Sequence, residues 1–257
     1  MQAVPDVVRK HWPEYLMEAA GLGLFMISAA VVTTLLEYPH SPLHGLFADQ
    51  ATRRLMIGLA MGATAIGLIY SPWGKRSGAH LNPAVTLTFY RLGKIGGIDA
   101  CSYVMAQFFG GALGLWLVSR AIGKAVEHPA VNYVVTTPGP AGSGTAFVAE
   151  ALISFGLMLV VLMVSNTTSL NAWTGCVAGA LVATYIAIEA PLSGMSMNPA
   201  RSFASALPAH LWTAFWIYLT APLIGMLLAA EAYVRVHGAH RVLCAKLHHT
   251  NTQRCIF

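Results

Sequence analysis

Charge is what this 257-residue chain has least of: Asp, Glu, Lys and Arg together make up 10% of it, against roughly 25% in a soluble domain. So few charges cannot wet a body of this size, and with 56% hydrophobic residues the chain reads as a membrane protein with no soluble domain left over. Cysteine is also sparse. Cys101, Cys176, Cys244 and Cys255 are scattered, two in apolar segments and two near the C-terminus, which excludes a disulfide framework and a spaced zinc site. His237, His240, His248 and His249 share that tail without a two-plus-two ligand pattern. The tail therefore reads as a solvated basic segment near the headgroups, and neither a metal nor a cofactor is expected.

What remains is long and apolar. Six segments, 15–36, 55–70, 100–122, 147–164, 173–190 and 211–234, approach the roughly 20 residues that cross a bilayer as a helix. The first follows Arg9 and Lys10 without a small-residue cleavage site, so it reads as a retained helix and not a signal peptide. Pairs of glycines four apart, Gly58 and Gly62, Gly110 and Gly114, Gly175 and Gly179, let helix backbones approach closely in lipid.

The net charge is +5, and its placement matters because cytoplasmic loops gather Lys and Arg. With both ends inside, the inner side holds Arg9, Lys10, Lys75, Arg76, Arg91, Lys94, Arg235, Arg241, Lys246 and Arg254, and the outer side only Arg53, Arg54, Arg120 and Lys124. This orients both termini to the cytoplasm of a cell-membrane protein. It also excludes nucleic acid as the reason for the basic balance.

The chain repeats itself. Ser77 to Val85 reads S-G-A-H-L-N-P-A-V, and Ser193 onward reads S-G-M-S-M-N-P-A-R-S-F in the same frame. Asn suits a helix N-cap and Pro the first helical position, because Pro lacks the amide hydrogen left unpaired there. Each box thus opens a short helix, over 81–90 and 193–207; ten residues reach only about 15 Å, half of a bilayer core. Irregular backbone at membrane depth is tolerated only when buried in protein or lining a watery cavity, which points to a pore. Glu18 and Glu150 stand at matching places in the opening helices of the halves, and an intramembrane carboxylate normally has a partner.

These boxes and the order of apolar segments resemble the aquaporin family, the major intrinsic proteins, over nearly the whole chain. The resemblance implies an all-α membrane protein of six transmembrane helices plus two re-entrant half-helices in an inverted repeat, assembled as a homotetramer in the lipid bilayer. Residues 1–257 would form a single channel domain, with half-repeats of about 12–122 and 146–234 and a basic tail, 235–257. The pore motifs would be Asn82, Pro83, Ala84 and Asn198, Pro199, Ala200; Gly78, Ala79, His80, Gly194 and Ser196 would line the pore loops, and Glu18 and Glu150 would brace them. The two helix N-termini, each worth about half a positive charge, would meet at the midplane and repel cations and protons.

Arg201 matches the family's pore arginine, with Ile186 and Met195 as further filter members. Counting back from Asn82 gives Gly62 as the fourth, whereas one extra residue in 71–76 gives Met61, which is preferred. Ile186 stands where water-specific members carry His. Ser202 follows the arginine as in water channels, where glycerol facilitators have Asp; Tyr218 resembles the water class and Leu219 departs from it. The expectation is a passive channel for water, and for small neutral solutes such as glycerol, that excludes protons and ions. A glycerol or metalloid-acid facilitator is the rival within the family. An ion-coupled secondary transporter shares the inverted repeat, but Glu189 and Glu231 lie near helix ends, and apart from the bracing glutamates the central segments offer no titratable or ion-ligating group. An enzyme is not expected, since His80 has no evident nucleophile or metal partner near it.

Overall fold

The computed structural model describes residues 4–249 and 251–257. Its helices in chain order are α1 (Val4–Glu37), α2 (Pro42–Leu46), α3 (Gln50–Tyr70), α4 (Pro72–Ser77), α5 (Pro83–Arg91), α6 (Gly97–Ile122), α7 (Lys124–Glu127), α8 (Gly142–Ser165), α9 (Thr174–Ser193), α10 (Pro199–Ala209) and α11 (Phe215–His237). Six of them, α1, α3, α6, α8, α9 and α11, are long and apolar enough to cross a membrane. Short α5 and α10 each follow an irregular loop and complete the two halves.

The packing follows the repeat. In one half α1 lies along α6, in the other α8 lies along α11, and α3 meets α9 across the halves. Half-helix α5 leans on α11 of the opposite half, as α10 leans on α6. Glycine makes the closest crossings. A Cβ on Gly62 would stand 2.5 Å from the Gly179 carbonyl oxygen, and one on Gly179 would stand 2.6 Å from that of Gly62. These two helix backbones touch, and nothing larger fits between them.

Four boundaries differ most from the sequence expectation, the first two for a polar reason. α1 starts at Val4 and not at 15, because its first turns dock on the protein: buried Glu14 accepts from Arg76 at 2.9 Å, and Asp99 accepts from Tyr15 at 2.5 Å and pairs with His11 at 2.8 Å. α3 starts at Gln50 and not at 55. Asp49 caps it by accepting from the Thr52 amide at 2.7 Å, and Arg53 is buried against Glu37 and the carbonyls of Phe47 and Ala48. The second half-helix starts at Pro199 and not at 193, since 194–198 form an extended loop with left-handed residues; α11 likewise starts at Phe215 and not at 211.

Candidate functional site

The two Asn-Pro-Ala boxes fold alike down to single dihedral angles. Gly78, Ala79 and Leu81 have positive φ in the first, and Gly194, Met195 and Met197 in the second. A left-handed conformation at a residue other than Gly costs of order 1–3 kcal/mol unless its surroundings fix it. Here they do. Glu18 accepts from Ser77 Oγ at 2.7 Å, from the amides of His80 at 3.1 Å and Leu81 at 2.6 Å, and from Gln107 Nε2 at 2.8 Å. Glu150 accepts from Ser193 Oγ, Ser196 N and Met197 N, each at 2.7 Å. Both carboxylates are wholly buried, and bonds to a charged acceptor are the strong class that repays such burial.

Sequence reasoning missed further parts of this frame. Ser77 and Ser193 also accept from the amides of Ala79 and Met195, and the carbonyls of the same two serines accept from Tyr103 at 2.7 Å and Tyr218 at 2.6 Å. The tyrosines lie 26 and 25 residues after their serines, a matched spacing that was there to be read. Tyr218 is thus a clamp on the loop.

Asn82 and Asn198 cap α5 and α10, with Pro83 and Pro199 in the first turn and Ala84 and Ala200 donating back to the Asn Oδ1 at 2.8 and 3.1 Å. Their amide groups cross over: Asn82 Nδ2 donates to the Met197 carbonyl at 2.7 Å, and Asn198 Nδ2 to the Leu81 carbonyl at 2.8 Å. An amide nitrogen carries two hydrogens. One of each is spent on this cross-link and one remains.

Between the halves runs a cavity of about 350 Å³. Its lining runs from Glu37, Gln50 and Arg54 at one end, past Met61, Ile186, Met195 and Arg201, to Asn82, Asn198, Ala79 and His80, and ends at Ile69 and Leu247. Gly194 and Ser196 also line it, whereas Gly62, packed on Gly179, does not. The wall is mostly apolar. Around the two boxes it offers the Asn amides, Arg201 and the loop carbonyls, of which those of Ala79, His80, Gly194, Met195 and Ser196 accept no hydrogen bond from the described residues.

Arg201 forms no ion pair among the described residues; its Nη1 donates to the Val134 carbonyl at 2.8 Å. Val134 belongs to the long connection between the halves, which dips into the mouth, where Val131, Val134 and Val135 line the cavity. Thr136 Oγ1 lies 2.7 Å from Ser202 Oγ, which lies 2.6 Å from Ser196 Oγ, so the residue after the arginine ties this strap to the second loop.

His80 is enclosed. Its Nδ1 lies 3.0 Å from Thr86 Oγ1 and its Nε2 2.7 Å from the carbonyl of Ala245. Both nitrogens are occupied. Glu189 is buried with both oxygens unpartnered among the described residues, but it faces a separate apolar groove between α8 and α9, away from the central cavity. Glu231 pairs with Arg91 at 2.6 Å.

Comparison with known proteins points the same way. A family model described as "Major intrinsic protein" matches residues 8–233. The chain is 37% identical to aquaporin NIP6-1 of Arabidopsis thaliana over 183 residues, 70% of this chain, and spans 58% of that relative's length. It is 36% identical to the probable aquaporin AqpM of Archaeoglobus fulgidus over 184 residues, 69% of this chain and 74% of that one. An aquaglyceroporin from Plasmodium falciparum has a similar fold, with a TM-score of 0.73 at 21% identity, covering 88% of this chain and 96% of the other.

Proposed function

We propose, for a chain that belongs to the major intrinsic protein family, a passive transmembrane channel for water and small neutral solutes. The observation that carries this reading is the meeting of the α5 and α10 N-termini, cross-linked by Asn82 and Asn198, inside a cavity walled mostly by apolar side chains. Two half-charges about 4 Å from a passing cation, at an effective dielectric of about 20, oppose it by about 4 kcal/mol, a factor of nearly a thousand. A neutral water feels no such barrier.

Selectivity against protons rests on the remaining amide hydrogens. A water that accepts one hydrogen bond from each Asn turns its own hydrogens outward, toward the free carbonyls of the two loops. Waters on either side then point in opposite directions, and no continuous donor chain crosses the centre. In this reading Glu18 and Glu150 are braces, set behind the loops and outside the conduit.

Met61, Ile186, Met195 and Arg201 form the selectivity filter in this reading, with Met61 preferred because Gly62 packs on Gly179. Three of the four walls are apolar. That favours a second reading, a facilitator for glycerol or a metalloid acid, because the carbon side of a polyol slides past Met and Ile better than past a polar wall. One measurement separates the two: light scattering of proteoliposomes mixed rapidly with an impermeant sugar or with glycerol. Re-swelling in glycerol at a rate comparable to the water-driven shrinkage supports the facilitator, and its absence supports the water channel.

We place the protein in the cell membrane with both termini in the cytoplasm, on the Lys and Arg asymmetry, and in a homotetramer. The groove between α8 and α9 supports subunit contact, since buried Glu189 lacks a donor within the described chain. Coupled transport is disfavoured because Glu18, Glu150 and Glu189 lie outside the conduit and Glu37 stands at its mouth, paired with Arg53.

A further inference from the structure

The tail does not trail into solvent. Val242, Ala245, Lys246 and Leu247 are buried, and three contacts fasten them to the first pore loop. The Leu247 amide donates to the Gly78 carbonyl at 3.1 Å, the Ala245 carbonyl faces His80 Nε2 at 2.7 Å, and Phe257 stacks on the His80 ring with centroids 5.6 Å apart and planes 11° apart. Leu247 is a wall of the central cavity. The inverted repeat supplies the comparison: in the second half the carbonyl of Gly194, which matches Gly78, accepts no bond from the described residues. One mouth carries the chain's own end, whereas its symmetry mate carries the connection between the halves, with Thr136 against Gly194.

The tail also folds on itself. Lys246 Nζ donates to the carbonyls of Gln253 and Arg254 at 3.2 and 2.8 Å, and the Sγ atoms of Cys244 and Cys255 lie 3.8 Å apart. Both cysteines are free; Cys255 is exposed and Cys244 half-buried. Bonded sulfurs are about 2.05 Å apart, so a small rotation would join them. The joined pair would close the turn that carries Leu247 and set the segment leading to Phe257.

We infer that the tail, residues 238–249 and 251–257, is a plug for one mouth of the channel, and that Cys244 and Cys255 are a thiol clasp that holds it in place. The inference rests on the channel reading above. Hydrogen peroxide is the oxidant. The Cys255 thiolate attacks its O–O bond, taking one oxygen as a sulfenic acid while the other leaves as water with the thiol proton. The Cys244 sulfur then attacks Cys255 Sγ, the S–O bond breaks, and a second water carries off the remaining proton. Two thiols lose two electrons, and one peroxide becomes two waters. A thiol reductant reverses the clasp.

The test uses the full chain in proteoliposomes, reduced with dithiothreitol or oxidised with hydrogen peroxide, with osmotic water flux and hydrogen exchange at the Leu247 amide read on both. Oxidised wild-type protein should conduct at least about threefold more slowly than reduced, as expected if the clasp shifts a balanced docking equilibrium, and its Leu247 amide should exchange more slowly. Cys255→Ser should keep the reduced rate under peroxide. A Leu247→Ala, Phe257→Ala double variant that elutes as folded protein should conduct faster than reduced wild type. Equal flux in that variant and in wild type overturns the plug, and an oxidised rate equal to the reduced one overturns the clasp. If no form conducts water, the channel reading falls, and Leu247 exchange unchanged by oxidation then overturns the docked clasp independently.

Discussion

Glu150 illustrates how much one side chain holds when it is buried and fully bonded. Its acceptors serve Ser193, Ser196 and Met197, and Glu150→Gln would turn one acceptor into a donor facing an amide hydrogen. The expected loss is on the order of 3 kcal/mol, read as a lower unfolding temperature in detergent and a poorer yield. Normal stability with an altered permeant preference would contradict the brace. Arg201 makes the opposite case. Arg201→Val removes the cation beside Met61, Ile186 and Met195 and releases the Val134 carbonyl, so glycerol-sized solutes, protons and cations should leak more while water flux persists through Asn82 and Asn198. Ser202→Ala is the control. It cuts the tie to Thr136 without removing charge, so it should loosen the strap and leave the proton barrier standing. Identical solute and ion permeability in folded Arg201→Val would remove Arg201 from the filter.

The helices that cross were legible because apolar length is a local property, and so were the half-helices, because Asn-Pro writes a cap into three residues. Partnerships between distant residues were not. Residues 4–14 look too polar to extend a membrane helix until Glu14 meets Arg76 and His11 meets Asp99, 62 and 88 positions away. Positive φ at Ala79, Leu81, Met195 and Met197 contradicts the habits of those residues, and the glutamates and serines that hold their amides account for it. The ambiguity between Met61 and Gly62 shows the limit of counting along a chain: the helix crossing, and not the spacing, turns Gly62 to Gly179. Gly62→Ala should therefore cost on the order of 1–3 kcal/mol through overpacking, visible as a fall in thermal stability.

The tail element was misread as solvated, since its histidines gave no sign of burial. His248 sits edge-on to Tyr70, and each of His248 and His249 has a buried ring nitrogen without a partner among the described residues. Burial pushes both below the ordinary histidine value, with the Lys75 charge adding to the effect at His248. A base held neutral when docked penalises docking once it is protonated, so the penalty is absent above the ordinary histidine pKa of about 6.5 and grows as pH falls below it. Acidifying the tail side from about pH 7.5 to 5.5 should release the tail, detected as faster exchange at the Leu247 amide. His248→Gln together with His249→Gln should flatten that response.

At the scale of the whole molecule, a channel built on neutral recognition cannot concentrate its cargo. Solute in vesicles should equilibrate and never exceed the outside concentration, whatever proton gradient is imposed; uphill accumulation of any solute would restore the ion-coupled alternative. The cross-link at the centre also bears on how such a protein is made. Asn82 bonds to Met197 and Asn198 to Leu81, so neither loop has these cross-links until both have been synthesised. A ribosome that stalls after α6 leaves a fragment whose Asn82 amide and Leu81 carbonyl lack their partners, with no second half-helix to complete the conduit. Truncated translation products are thereby kept from becoming holes in the membrane: the same bonds that shape the passage withhold it until the last third of the chain has arrived.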